Sequence, residues 1–396
     1  MRPRRVLEVA VVVGIAVTAV LAGSSILTRV LYPSTTFRTG CSVAPGPWLS
    51  SHDATNELPS SFANGSVQAF GSNATTVIFG GIAYYERNHQ PYDSLPALGS
   101  FSPGSTTGKD LTAQASAYFE RGGVFPVGWN GSGWLIAGQT TYGGNTQGSA
   151  IFLQGAHITN LTPVVGRYFQ GQGIWIAGWD GKGWLLGGNN SQGAVLVYLS
   201  GNTVTDLTSL LPNNHPGDWV QMVGWNGTGW LVGGLGIFGG YLAGRFTDLL
   251  PQSPFANGAV FAMDWNGSDW LAGGSPVRLA YVHGDRVVAA APPINRTSGW
   301  VNSILALPSG GWLVSGGSYG AAGYSPFLSA LSSGEGPQGV RNESNCLPTS
   351  FQGGWVQFGG WAPAYGDRSV LLVGEGGVNP TSFASHSAAV VIAIGA

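Results

Sequence analysis

Short apolar runs separated by Gly-rich polar turns recur along the chain. The clearest is Gly224-Trp225-Asn226-Gly227-Thr228-Gly229-Trp230-Leu231-Val232-Gly233-Gly234. Two apolar stretches joined by Asn-Gly predict a hairpin with a two-residue type I′ turn, which needs φ > 0 at both central residues. The phrase returns at Trp129–Gly138, Trp179–Gly188 and Trp265–Gly274, with Asp180 once in place of Asn, and ends each time in Gly-Gly or Ala-Gly. Its second Trp stands at 134, 184, 230 and 270, and Trp312 takes the same place, so the intervals are 50, 46, 40 and 42 residues.

A repeat of this length, punctuated by Gly-Gly and Trp-Asn-Gly, excludes stacked helices. It predicts four short strands per unit: strand A, the Asn-Gly turn, strand B ending in Gly-Gly, a loop, strand C, a turn and strand D. That pattern reads as an all-β chain, a seven-bladed β-propeller over residues 41–396. The Gly-Gly doublet is expected to admit a bulky neighbour or a backbone at close range. Aromatic residues four or six before the first Trp of the phrase (Phe125, Trp175, Phe261; Trp219, Trp355) share its face by period two and are expected to stack between blades. The paired tryptophans read as core. Asp110, Asp206 and Asp248 recur at one position of strand D, where an Asp caps a turn.

Seven A–B–C cores are legible, and the last lacks a strand D. Thr55-Asn56-Glu57-Leu58-Pro59 resembles the strand-D phrase Thr205-Asp206-Leu207-Thr208. The N-terminal segment is therefore expected to supply the outer strand of the seventh blade, which removes two exposed sheet edges. In that arrangement Cys41 lies beside blade seven and Cys346 in the outer part of blade six, and a disulfide between them would pin the seam.

The array resembles β-propellers, and most of all the kelch-like ones, whose repeat carries a Gly-Gly doublet after the second strand. Here the doublet stands at Gly80-Gly81, Gly187-Gly188, Gly233-Gly234, Gly273-Gly274 and Gly316-Gly317. The resemblance covers about residues 60–396. It departs from the kelch pattern in lacking the Tyr and Trp that normally follow the doublet, and the chain also lacks the Asp-box of sialidases and the Trp-Asp ending of WD40 blades. A shared fold does not by itself carry a function.

Composition changes the picture in one respect. Of 396 residues 9% are charged, with a net charge of −2, so no strong field attracts nucleic acid or anionic lipid. The N-terminus adds compartment. Arg2, Arg4 and Arg5 precede an uncharged run from Val9 to Leu27, close to the length that spans a bilayer. Residues 1–32 read as one transmembrane helix with the remainder outside the cytoplasm, and residues 33–40 as a stalk. A signal peptide cleaved near Val20-Leu21-Ala22 is the alternative. Asn-x-Ser/Thr occurs at Asn64, Asn73, Asn130, Asn160, Asn189, Asn226, Asn266, Asn295 and Asn342, candidates for glycosylation in a host with the machinery.

Function in propellers sits in non-repeated loops of one face. The B–C and D–A connections share a face, opposite the Asn-Gly turns. Its non-repeated polar residues include Tyr142, Arg167, Tyr168, His215, Asp218, Arg278 and Arg296, with Tyr319 and Tyr324, and Arg and Tyr suit recognition. No catalytic motif stands out. The six histidines are scattered, no metal-ligand spacing occurs, and no cofactor is implied. Carboxylates outside the repeat (Glu86, Glu120, Asp218, Glu335, Asp367, Glu375) are not paired by the sequence. The expectation is a membrane-anchored binding or structural module of the cell surface, with an unknown protein or glycan ligand. The alternative is a tethered polysaccharide hydrolase or lyase. Two or more non-repeated carboxylates converging at the channel mouth would favour the enzyme, and an empty or apolar mouth the binding module.

Overall fold

The computed structural model describes residues 49–63, 65–83, 94–102, 105, 108–294, 298–308, 310–320, 323–332, 339–377 and 386–394. The expected anchor and stalk, Cys41, Asn64, Glu86, Asn295, Arg296 and Glu335 lie outside them. Among the described residues no helix is long and apolar enough to cross a membrane.

The described chain is a succession of antiparallel meanders. After β1 (Leu49–Asp53), the first sheet holds β2 (Gly65–Ser72), β3 (Val77–Ala83), β4 (Leu95–Phe101) and β5 (Lys109–Asp110). The second holds β6 (Gly122–Trp129), β7 (Trp134–Tyr142), β8 (Asn145–Gln154) and β9 (His157–Asn160). The third holds β10 (Ile174–Trp179), β11 (Trp184–Asn190), β12 (Gly193–Ser200) and β13 (Thr203–Asp206). An eight-stranded sheet follows. It joins the meander β14 (Trp219–Trp225), β15 (Trp230–Leu235), β16 (Phe238–Leu242), β17 (Arg245–Asp248) to the meander β18 (Ala259–Trp265), β19 (Trp270–Ser275), β20 (Arg278–His283), β21 (Arg286–Ala290), through the single pair Leu235–Ala259. Next come β22 (Gly299–Leu307), β23 (Gly311–Gly320), β24 (Gly323–Ser332) and β25 (Val340–Asn342). The last sheet is β26 (Trp355–Trp361), β27 (Ser369–Gly376), β28 (His386–Ile394) and, at its outer edge, β1. Leu49 pairs Ile394 and Asp53 pairs Val390.

The first strand of each meander contacts the first strand of the next, and β26 contacts β2. The core is divided accordingly into clusters between neighbouring sheets. Leu135, Val165, Phe169, Leu186 and Val197 fill one such layer, and Val67, Phe79, Leu371, Val373 and Val391 fill the layer between the last sheet and the first.

The outer-strand expectation is met with a change of register. The strand is Leu49–Asp53, and Thr55–Glu57 is a 3-10 turn after it. The repeated phrase is a latch. Asp110, Asn160, Asp206 and Asn342 each accept the backbone N–H two residues on, as Asp53 accepts that of Thr55 at 3.0 Å. The hydroxyls of Thr112, Thr162, Thr208 and Ser344 then bond the backbone of Leu98, Ala150, Leu196 and Leu328. In the closing sheet Thr55 does the same to Ala389. The matching phrase is therefore Asp53-Ala54-Thr55, not Thr55–Pro59. A second tie holds the seam: Glu57 meets His52 Nε2 at 2.7 Å and accepts the Tyr365 hydroxyl at 2.8 Å.

The hairpins occur where expected, with Trp129 paired to Trp134 and Trp225 to Trp230, but the turn differs. Four residues separate the strands, and only the glycine is left-handed: φ is +92° at Gly131 and +94° at Gly227, whereas neither Asn130 nor Asn226 has positive φ. The Asn side chain takes over the closure. Asn226 Oδ1 accepts from the N–H groups of Thr228 (3.0 Å) and Gly229 (2.8 Å) and from the Thr228 hydroxyl. Such Asx capture replaces the I′ geometry at lower backbone strain. Asp180 does the same and also accepts the Tyr198 hydroxyl at 2.9 Å.

The glycines before the first Trp have a packing reason. A Cβ on Gly128, Gly178 or Gly224 would strike the ring of Trp184, Trp230 or Trp270 from the next meander. Those tryptophans are buried, as expected. Each stands against the first Trp of its own hairpin, with ring centroids 5.0–5.4 Å apart. Both roles expected for the Gly-Gly doublet occur. The first glycine (Gly80, Gly187, Gly233, Gly273) meets a valine of the next meander (Val124, Val220, Val260, Val301), and the second (Gly81, Gly188, Gly234, Gly274) meets a carbonyl of its own strand A.

Candidate functional site: an aromatic channel mouth

That close carbonyl marks a bulge. In every innermost strand the pairing register shifts beside the doublet, between Val67 and Ala69, Val124 and Val127, Ile174 and Ile176, Val220 and Met222, Val260 and Ala262, Val301 and Ser303, and Val356 and Phe358. A bulge leaves a residue out of the ladder and re-aims it. The residues so released are Gln68, Phe125 (with Pro126), Trp175, Gln221, Phe261, Asn302 and Gln357, and all of them line one cavity of about 760 Å³.

Each released residue sits four positions before the hairpin-Trp place: Gln68 before Ser72, Phe125 before Trp129, Trp175 before Trp179, Gln221 before Trp225, Phe261 before Trp265, Asn302 before Ala306, Gln357 before Trp361. Trp219, Trp300 and Trp355, six before that place, also line the cavity. The two positions complement each other. Where the earlier residue is Trp, the later one is Gln221, Asn302 or Gln357; where the earlier one is Gly123, Gly173 or Ala259, the later one is Phe125, Trp175 or Phe261. Six meanders thus contribute one ring each from these two positions, β2 contributes Gln68, and Phe70 and Phe358 also line the cavity.

This corrects the expectation that Phe125, Trp175, Trp219, Phe261 and Trp355 share a face with the hairpin tryptophans, while the expected stacking between neighbouring sheets is met by Phe125 with Trp175. The bulge breaks the period of two, so these rings face the channel, half-buried. They touch one another across sheet boundaries: Phe125 and Trp175 at 4.4 Å between centroids, Trp300 and Trp355 at 5.8 Å edge-on. Tyr324 continues the cluster, 5.1 Å from Trp355 and 5.2 Å from Tyr319, which is 52% exposed at the end of β23.

Hydrogen bonds hold several of these groups. Trp175 Nε1 donates to Asn189 Oδ1 at 2.7 Å and Trp355 Nε1 to Gln357 Oε1 at 2.9 Å. Asn302 Nδ2 donates to the Val356 carbonyl at 3.0 Å, and Gln68 Nε2 to Ser66 Oγ, which in turn donates to buried Glu375. Trp219 Nε1 is buried without a protein partner. No Asp, Glu, Lys, Arg or His is among the described residues lining the cavity.

None of the described loop residues expected to bind lines the cavity. Tyr142 is 71% exposed at the end of β7. Arg167 donates to the Tyr168 hydroxyl at 2.8 Å and lies 4.9 Å from its ring. Asp218 accepts the His215 N–H at 2.7 Å and so braces the loop that presents Trp219. Arg278 donates to the Pro254 carbonyl. Of the candidate glycosylation sites, Asn160 and Asn342 are exposed, Asn73, Asn130, Asn226 and Asn266 are half-buried, and each of these six uses its Oδ1 in a local turn. Asn189 is 8% exposed, holds Trp175 and lines the cavity, unlike the exposed Asn160 and Asn342.

No family model matches the chain, and no curated protein matches its sequence. Its fold is nevertheless shared. The chain is similar to YCF48, solved bound to D1 peptide, with a TM-score of 0.52 at 9% identity over 90% of this chain and 98% of that one. Sqt1 of Chaetomium thermophilum, solved bound to the N-terminus of the ribosomal protein L10, matches at a TM-score of 0.49 and 12% identity over 81% of this chain and 85% of that one. The likeness to YCF48 shows a shared β-propeller fold and does not single out the kelch-like branch.

Proposed function

We propose that this chain is a membrane-anchored, extracytoplasmic β-propeller of seven blades, closed by its own N-terminal strand, that serves as a binding module of the cell surface and takes its ligand at the aromatic mouth. The observation that carries the reading is the ring of released residues. One position of an otherwise repetitive unit varies among Gln, Phe, Trp and Asn, and it is the position that faces the cavity. Repeats with a constant frame and a variable inward residue are built to present a surface.

The cyclic contacts of the innermost strands and the β1–β28 pairing support the closed ring. Arg2, Arg4 and Arg5 ahead of the Val9–Leu27 run support the anchor and its orientation. The Gly-Gly doublets support a kelch-like relationship. Cys346 packs in the same cluster as Leu49, eight residues after Cys41, which supports the Cys41–Cys346 disulfide at the seam. Glycans fit best at Asn160 and Asn342. YCF48, a propeller of this general fold, was solved holding a peptide. A cavity lined by rings and amides, with no carboxylate among its described lining residues, favours binding over hydrolysis.

The test combines topology and binding. Intact cells making the full chain are treated with a membrane-impermeant amine label, and the purified chain is applied to arrays of immobilised peptides and glycans beside Trp175→Ala/Gln221→Ala. The reading expects labelling from outside and ligand binding that the double variant loses. A chain shielded from the label, or a double variant that binds like the parent, contradicts it.

A further inference from the structure

We infer that the mouth recognises an uncharged oligosaccharide; this rests on the mouth being the binding site. The first argument is charge. An ionic ligand buried here would meet no counter-charge among the described lining residues, and desolvating an unpaired charge is costly.

The second argument is the hydrogen-bonding groups left over once the site has satisfied itself. Asn189 and Gln357 use their oxygens on indole N–H groups, so their NH₂ groups remain as donors. Gln68 and Asn302 use their NH₂ groups on Ser66 and Val356, so their oxygens remain as acceptors. Trp219 Nε1 adds a buried donor with no protein partner. The site therefore offers donors and acceptors side by side, all neutral. Sugar hydroxyls are donor and acceptor at once and match such a set. A proline-rich peptide, whose backbone presents mainly carbonyl acceptors, would leave Gln68 and Asn302 unmatched.

The third argument is shape. Eight aromatic residues line one cavity, and the electron-rich ring faces attract the C–H faces of pyranose rings as they attract other positive edges. The volume, about 760 Å³, falls within the ordinary range for pockets that hold small ligands. The Tyr319–Tyr324 pair next to Trp300 and Trp355 extends the stacking surface outward, so a chain of sugars can leave the cavity along β23 and β24.

The experiment titrates the full chain, held in a detergent without a sugar headgroup, with cellotetraose, mannotetraose, maltotetraose and chitotetraose by calorimetry and tryptophan fluorescence. Tetragalacturonate is the charged counterpart and an uncharged proline-rich peptide the competitor. Trp219→Phe keeps the ring and removes the donor, Gln68→Ala removes an acceptor, and Leu242→Ala, at an exposed residue outside the cavity, serves as a surface control. The inference expects a neutral tetrasaccharide to bind, Trp219→Phe and Gln68→Ala each to weaken it about tenfold while unfolding at the parent temperature, and Leu242→Ala to change nothing. Binding of the peptide alone, of tetragalacturonate alone, or of none of these probes overturns the sugar assignment and leaves the mouth as a site intact. Saccharide binding that is indifferent to Trp219 and Gln68 instead overturns the mouth itself.

Discussion

Thr55 Oγ1 donates to the carbonyl oxygen of Ala389 at 3.3 Å and accepts the Ala389 N–H at 3.1 Å, a bond pair across 334 residues. The same pair, made locally in other sheets by Thr112, Thr162 and Thr208, here joins the first strand of the described chain to the last. The channel exists only if the last sheet meets the first, so this contact underlies the site.

Thr55→Val keeps the shape and removes both bonds. A buried hydrogen bond contributes about 0.5–1.5 kcal/mol, and an orphaned backbone group costs about 1–3 kcal/mol. Denaturant unfolding should show a loss of about 1–3 kcal/mol for Thr55→Val and a similar loss for Thr208→Val. A stable Thr55→Val beside a destabilised Thr208→Val would mean that the closing strand is dispensable.

Gly128→Ala and Gly131→Ala separate packing from backbone strain. A methyl at Gly128 meets the Trp184 ring, whereas Gly131 has open space and a φ of +92°. Overpacking costs about 1–3 kcal/mol, and the left-handed penalty for a non-glycine residue about 1–2 kcal/mol. Gly128→Ala should also perturb the near-ultraviolet circular dichroism of the tryptophans, and Gly131→Ala should leave that spectrum unchanged.

Asp264 stands where five other meanders have glycine (Gly71, Gly128, Gly178, Gly224 and Gly360), and it accepts the Ala306 N–H of β22 at 2.7 Å. Burial raises its carboxyl above the usual carboxylate range, opposed by hydrogen bonds from the Ala306 and Trp265 backbone. The folded state therefore holds this proton more tightly than the unfolded chain, whose aspartates titrate near about 3.9. Its contribution to stability is greatest below that pH and falls as pH rises through the raised value. Relative to Asp264→Asn, the parent should lose stability from about pH 4 upward; a difference that stays flat with pH contradicts this.

Trp175→Phe and Trp219→Phe should part company. The first breaks the bond to Asn189 and orphans a buried acceptor, a cost of about 1–3 kcal/mol. The second removes a buried donor that has no partner, so stability should hold or rise slightly. Thermal unfolding of the two variants decides it.

The strands and the repeat were legible because Trp-Asn-Gly and Gly-Gly announce hairpins directly, and β6–β7, β10–β11, β14–β15 and β18–β19 all fall where that phrase stands. Turn type was not legible, because Asn226 closes its turn with a side chain rather than with its own φ. The outer strand was legible in the right segment but three residues out of register, because Asp53-Ala54-Thr55 carries Ala where the other latches have Leu or Glu343. The site was misread for one reason. Period two assigns Trp175 and Trp179 to one face, and the bulge beside Gly187-Gly188 breaks that period. The signal was present in the sequence: a single repeat position, four before the hairpin Trp, that refuses to repeat.

Oxidative footprinting of the tryptophans, with and without a bound neutral tetrasaccharide, tests the central claim most directly. The account predicts protection of Trp175, Trp219, Trp300 and Trp355 and unchanged oxidation of Trp129, Trp179, Trp225 and Trp265 at the opposite hairpins. Protection of the hairpin tryptophans, or of neither group, would contradict it.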